Sequence, residues 1–155
     1  MFVRDEIILK KRRVRELLDS LGLSAIYIKR QSNYAWLTGG GRNLVGIATE
    51  FGVSGALITP DRDYIVCNNV EAPRMIEEEA VEALGYDVRA FPWHRDREAT
   101  IVAELAGGPL GSDIAFPDAK DVAGDLAPLR YGLTPWEVER YRQVGALTSK
   151  AIEET

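Results

Sequence analysis

The stretch that most limits the fold is residues 55–67, GALITPDRDYIVC, in which two apolar runs flank Pro60, Asp61, Arg62 and Asp63. Proline fixes φ for a turn and aspartate bonds its own backbone, so the two runs form an antiparallel hairpin. The chain around the hairpin alternates between helical and extended patterns. Apolar positions recur at helical spacing over residues 6–21, and Gly22 follows as a helix-ending residue. Residues 24–29 read as a strand, 32–37 as a helical turn stopped by Gly39, Gly40 and Gly41, and 44–48 as another strand. After the hairpin come an acidic helix over 73–84 ended by Gly85, a strand at 87–91 and a helix over 95–105. A glycine-rich turn at 107–111, a strand at 113–116 and a helix over 117–129 complete the series. Alternation with an early hairpin implies an α/β fold, a mixed sheet flanked by helices on both faces. With 155 residues and 46% hydrophobic content, one core forms without disulfides or structural metal.

The C-terminal residues 133–155 announce a helix with a strong start. Thr134 can cap the third helical residue, Glu137 can reach back to the cap, and Pro135 sits where a missing N–H costs nothing. Val138, Tyr141, Val144, Leu147 and Ala151 then follow three or four apart, a stripe that wants a partner surface. The expected organisation is a domain over 1–132 and a connector helix over 133–155 leading to a further domain of a larger protein.

Charge and composition exclude several function classes. A formal charge of −5 argues against nucleic-acid binding, which needs a basic face. The basic cluster Lys10, Lys11, Arg12, Arg13 and Arg15 reads as the solvated face of the first helix. The single cysteine, Cys67, rules out an internal disulfide and fits a reducing compartment. No run approaches the roughly 20 apolar residues of a membrane span, and the N-terminus lacks signal-peptide features, so the expected location is cytoplasmic.

Candidate chemistry is sparse. His94, the only histidine, reads as a loop residue at a strand end rather than a metal ligand. Asp118, Asp121 and Asp125 read as the solvent face of a helix. The GGGRN loop lacks the lysine and Ser/Thr of a phosphate loop, and its glycines read instead as a sharp turn presenting Trp36 and Arg42 at a sheet edge. A ring and a guanidinium together can recognise a peptide or carboxylate, although a core tryptophan and a solvated arginine remain the alternatives.

Taken in order, GLSAIYIKRQSNYAWLTGG, GALITPDRDYIVCN and LTPWEVERYRQVGALTSKAIEE resemble the N-terminal domain of the pita-bread metallopeptidase family of Xaa-Pro aminopeptidases, prolidases and creatinase. The specific matches are Ser32, Asn33, Leu37, Thr38 and Gly39, and the Thr134-Pro135-Trp136-Glu137 start of the last helix, where Thr replaces the commoner Ser. The resemblance implies a ribonuclease-H-like α/β domain, a connector helix and a C-terminal pita-bread domain. That C-terminal domain would hold two divalent metal ions, Mn, Co or Zn, and no catalytic or metal-binding residue is expected in this chain. It further implies a homodimer in which this domain restricts the neighbouring subunit's active site to short proline-containing peptides. Arg42 stands where creatinase has an arginine contacting the substrate carboxylate, so it is expected to contact substrate in trans, with Trp36 and Tyr34 as further wall residues. A stand-alone peptide- or protein-binding module and an amidinohydrolase resembling creatinase are the alternative expectations.

Overall fold

The computed structural model describes residues 2–154. Six strands, β1 (Ala25–Arg30), β2 (Phe51–Ile58), β3 (Asp63–Asn68), β4 (Asp87–Phe91), β5 (Leu110–Ser112) and β6 (Ala119–Asp121), form one sheet in the order β4-β3-β2-β1-β5-β6. β1, β2 and β3 pair antiparallel, whereas β4 joins β3, β5 joins β1 and β6 joins β5 in parallel. The mixed α/β sheet that the sequence implied is therefore present.

Among the described residues there are six α-helices, α1 (Phe2–Leu21), α2 (Gln31–Leu37), α3 (Ala72–Glu77), α4 (Glu98–Ala106), α5 (Ala123–Leu126) and α6 (Pro135–Glu153), of which the first five cover the sheet and the last projects from it. Alternate side chains of each strand face opposite ways, so the sheet has two cores. On one face Val14, Leu18, Tyr34, Leu37, Met75 and Leu126 pack on Ile26, Ile28, Ile58, Ile65 and Cys67. On the other, Val102 and Ala106 of α4 pack on Tyr27, Leu57, Tyr64 and Val66. Cys67 lies in the first core, and burial pushes its thiol pKa up to about 11, which leaves it unreactive.

Several expected elements differ. Residues 44–48 form a loop, not a strand, because β2, the strand that follows them, is already paired with β1 on one side and β3 on the other. The helix expected over 73–84 stops at Glu77, and Ala80 at φ +48° turns the chain so that Val81 returns to the core. The helix expected over 95–105 starts only at Glu98, whose N–H is held by the Asp96 carboxylate at 3.0 Å. The strand expected at 113–116 lies earlier, as β5, and Asp113 just after it turns its carboxylate to accept from the Lys29 N–H. Instead of a helix over 117–129 the chain makes β6, α5 and a 3-10 turn, Ala127–Arg130. Asp118 sits at φ +54°, so Asp118, Asp121 and Asp125 share no helical face.

The basic cluster is also not a solvated face. Lys10 and Lys11 are buried, Arg13 donates to the carbonyls of Leu129 and Gly132, and Arg15 pairs with Asp63 at 2.6 Å. Only Arg12 stands out in solvent, in a long ion pair with Glu16. Lys11 reaches Asp63 at 3.0 Å and lies 3.6 Å from the Tyr86 ring centre, and burial lowers its pKa in spite of Asp63.

The Tyr27 ring of β1 can lie across β2 only because Gly55 has no side chain. A Cβ there would lie 2.2–2.5 Å from Tyr27 ring and hydroxyl atoms, and that hydroxyl is held by Glu98 at 2.5 Å. Gly55→Ala is therefore expected to destabilise the domain by about 1–3 kcal/mol, the usual cost of overpacking, read as a lower urea midpoint. Gly132→Ala, with open space at its Cβ, should leave the midpoint almost unchanged.

Candidate functional site

The ends of α2 are fixed by the residues that carry the most specific sequence pattern. At its start the buried Asp113 carboxylate accepts from the Lys29 N–H at 2.8 Å and from Asn33 Nδ2 at 2.9 Å. The Arg130 guanidinium donates to Asn33 Oδ1 at 2.7 Å and to Ser32 Oγ at 3.2 Å. A buried carboxylate is tolerable only with such donors. At the other end Thr38 Oγ1 donates to the Tyr34 carbonyl at 2.8 Å, and Gly39 and Gly40 take φ of +72° and +116°. These angles favour glycine, and the sharp turn they allow sends the chain toward Arg42.

Two grooves flank this turn and share Ala35 and Gly40. One, of about 560 Å³, is lined by Arg30, Ser32, Gly41, Arg42, Leu44 and Glu50. Backbone bonds fix Arg42: its N–H donates to Glu79 Oε2 at 2.8 Å and its carbonyl accepts from Arg74 at 3.1 Å. Its guanidinium is exposed, without a hydrogen bond or ion pair among the described residues. The second groove, of about 500 Å³, is lined by Trp36, Gly39, Arg130, Tyr131, Leu133 and Tyr141. Trp36 is half-buried there, and its indole N–H is buried without an acceptor among the described residues. Trp36 and Arg42 thus lie in neighbouring grooves rather than one. Tyr34 lines neither: it is wholly buried, its hydroxyl 3.7 Å from Met75 Sδ, and burial raises its pKa.

The floor of the Trp36 groove is a charge cluster that sequence reasoning missed. Lys10 Nζ donates to Glu6 at 2.5 Å, to Glu137 at 2.8 Å and to the Trp36 carbonyl at 2.8 Å. Arg140 closes on Glu6 with two bonds, at 2.6 and 2.9 Å. Glu137 also completes the capping box, accepting from the Thr134 N–H at 2.7 Å while its own N–H donates to Thr134 Oγ1 at 3.2 Å. The expected cap is therefore present, and its glutamate has a second task. A signal existed in the sequence: Lys10 lies three residues after Ile7 and four before Val14, on the buried stripe of α1. Beyond the cluster α6 buries nothing, and Tyr141, Val144, Leu147 and Ile152 are exposed.

Among the described residues no three His, Cys, Asp or Glu side chains are grouped to hold a metal ion. His94 is exposed in the loop after β4, edge-on to Trp93. No helix among the described residues is long and apolar enough to cross a membrane.

This architecture defines an α/β domain with a mixed six-stranded sheet and a projecting C-terminal helix. The chain belongs to the Creatinase/Prolidase N-terminal domain family, which it matches over residues 10–117. No curated protein matches it significantly. Among solved structures it is similar to dipeptidase PepE from Mycobacterium ulcerans, with TM-score 0.65 and 15% identity over 88% of this chain and 39% of that one. It is also similar to the prolidase from Pyrococcus horikoshii OT3, with TM-score 0.65 and 18% identity over 93% of this chain and 41% of that one. A further similar structure is the N-terminal domain of FACT complex subunit SPT16 from Cicer arietinum, with TM-score 0.57 and 13% identity over 98% of this chain and 47% of that one. The chain thus spans about two fifths of the length of the dipeptidase and the prolidase.

The cluster gives the attachment of α6 a pH dependence. Burial pushes the Glu6 and Glu137 carboxyls up, but hydrogen bonds from Arg140 and Lys10 to Glu6, and from Lys10 and Thr134 to Glu137, outweigh it and hold both below the ordinary value of 4.5. Carboxylates lowered in the folded state stabilise it above their unfolded pKa, and that contribution is lost as pH falls through the folded pKa. Stability is expected to hold from neutral pH to about 4.5 and to decline below it. Glu6→Gln, which leaves Lys10 and Arg140 short of a charge, should cost about 3 kcal/mol at neutral pH. Its urea midpoints should converge on those of the wild type in acid.

Proposed function

We propose that this chain is the non-catalytic N-terminal domain of a metal-dependent Xaa-Pro aminopeptidase or dipeptidase, where it aids dimerisation and restricts the active site of the neighbouring subunit. The observation that carries this reading is membership of the Creatinase/Prolidase N-terminal domain family over residues 10–117. The exposed apolar stripe of α6 supports it as a connector, since Tyr141, Val144 and Leu147 offer a face to a following domain. In this reading two divalent metal ions belong to that C-terminal pita-bread domain, and no residue of this chain is assigned to them. The contribution of this chain is steric and electrostatic. Arg42 offers an exposed guanidinium that can meet a peptide carboxylate through two parallel hydrogen bonds. Trp36 offers a wall in the adjoining groove. Tyr34 is withdrawn from this role because it has no exposed surface.

A second reading is a binding module without catalysis, and the fold is shared with a domain of a subunit of the FACT complex, SPT16. The two readings separate on activity. The protein containing this domain should hydrolyse Xaa-Pro dipeptides, lose activity in chelator and regain it with Mn²⁺ or Co²⁺, and the 155-residue chain alone should be inactive. Hydrolysis of a guanidino compound instead of peptides would point to a creatinase-like amidinohydrolase, and no hydrolysis with any metal would favour the binding module. Within the peptidase reading, Arg42→Ala should raise KM roughly tenfold, the worth of a charged hydrogen bond, and leave kcat nearly unchanged. An unchanged KM would remove Arg42 from the site.

A further inference from the structure

β4 is an outer strand of the sheet, and its free edge is open. Among the described residues β4 pairs only with β3, and Asp87, Arg89 and Ala90 are exposed. The direction of its backbone groups follows from one bond. The Asn69 N–H donates to the Phe91 carbonyl at 2.7 Å, so Phe91 turns its backbone toward β3. With the two-residue period of a strand, Arg89 and Asp87 do the same, and the N–H and C=O of Val88 and Ala90 point away from the sheet. The edge ends at Tyr86, whose N–H is held by the Val81 carbonyl, and at Pro92, which has no N–H. What remains is a short, unpaired edge centred on Val88.

The side chains on this edge are self-complementary. Asp87 and Arg89 are two apart, so they project on the same face of the sheet, on either side of Val88. If a second β4 pairs antiparallel with Val88 opposite Val88, each Asp87 lies opposite the other copy's Arg89. A shift of two residues, the next register that keeps the outward backbone groups of Val88 and Ala90 paired, sets Arg89 against Arg89 and is repulsive. Charges on an edge strand ordinarily discourage pairing, but these two select one register of self-pairing. Their present contacts leave them accessible: Asp87 has only an exposed ion pair with Arg62 at 3.8 Å, and Arg89 lies over the Tyr64 ring, 5.3 Å from its centre. Apolar surface adjoins the same edge. Trp93, which follows β4 and whose N–H is held by Asn69 Oδ1 at 2.8 Å, is 68% exposed.

We propose that β4 is a self-association edge, at which a second copy of this chain adds its own β4 antiparallel about Val88, with two crossed Asp87–Arg89 pairs and Trp93 covered at the rim. The proposal deepens the dimer component of the reading above and rests on it. It does not depend on the reaction that a following domain carries out. With so short an edge the association is weak, of the transient class rather than the obligate one.

Sedimentation equilibrium of the 155-residue chain up to millimolar concentration tests it, with circular dichroism as the check on folding. The wild type should be in monomer–dimer equilibrium. Arg89→Asp sets like charges opposite each other twice and should weaken association at least about tenfold. The double variant Asp87→Arg, Arg89→Asp should restore it. Val88→Pro removes an outward N–H, a substitution that edge strands accept, along with part of a half-buried side chain, and should also abolish association while the fold persists. A wild-type dimer indifferent to Arg89→Asp and Val88→Pro overturns the edge while leaving dimerisation standing elsewhere on the chain. A wild type that stays monomeric at every concentration overturns the edge and self-association of this domain together.

Discussion

The Lys10 ammonium is the point on which the arrangement of the helices depends. It is buried, it sits 5.4 Å from the Trp36 ring centre, and its three donors go to Glu6 on α1, Glu137 on α6 and the carbonyl of Trp36 on α2. Three donors in three directions fix three helices relative to one another. Desolvating such charges is expensive, and their attraction does little more than offset that cost. The cluster is therefore better understood as a device of orientation than of stability. A hydrophobic contact between α1 and α6 would tolerate sliding, whereas hydrogen bonds of 2.5–2.9 Å to defined atoms do not. α6 needs this because it buries none of its residues and so has no core contact to set its direction.

The same logic holds at the other end of α2. Asp113 accepts backbone and side-chain donors from β1 and α2, and Arg130 binds Ser32 and Asn33 from the turn before α6. Ser32, Asn33 and Thr38, the residues of the specific pattern, thus serve the placement of α2. Its functional consequence is indirect. A firmly held α2 delivers the Gly39–Gly40 turn, that turn delivers Arg42, and the guanidinium of Arg42 is left unengaged at the rim of a groove. Buried polar networks hold the frame, and the groups available for recognition are those the frame leaves unpaired.

Local chemistry made much of this legible in the sequence. The Pro60–Asp63 turn, the Gly22 stop, the Thr134–Glu137 capping box and the alternation that yields a mixed sheet were all readable, because each depends on residues close together in the chain. What escaped depended on long-range partners. The cluster of lysines and arginines on α1 looked like a solvent face, since nothing local reveals that Glu137 and Arg140 return from more than a hundred residues away to meet it. The acidic run after Pro117 had helical spacing, but the chain uses Asp118 in a left-handed turn and Asp121 at the end of a strand. Tyr34 looked available beside Trp36, yet helix geometry turns neighbouring residues in different directions, so Tyr34 faces the core and Trp36 the groove.

The claim that the Lys10 cluster sets the direction of α6 is best tested by measuring that direction. Nitroxide labels attached after Arg12→Cys and Gln143→Cys would report the distance between α1 and α6 by pulsed electron resonance, and the buried Cys67 would stay unlabelled. The account predicts a single narrow distance distribution, broadened markedly when Lys10→Met removes the ammonium but keeps the aliphatic stem. A distribution equally narrow with and without Lys10 would show that something other than this cluster holds α6, and would contradict the account.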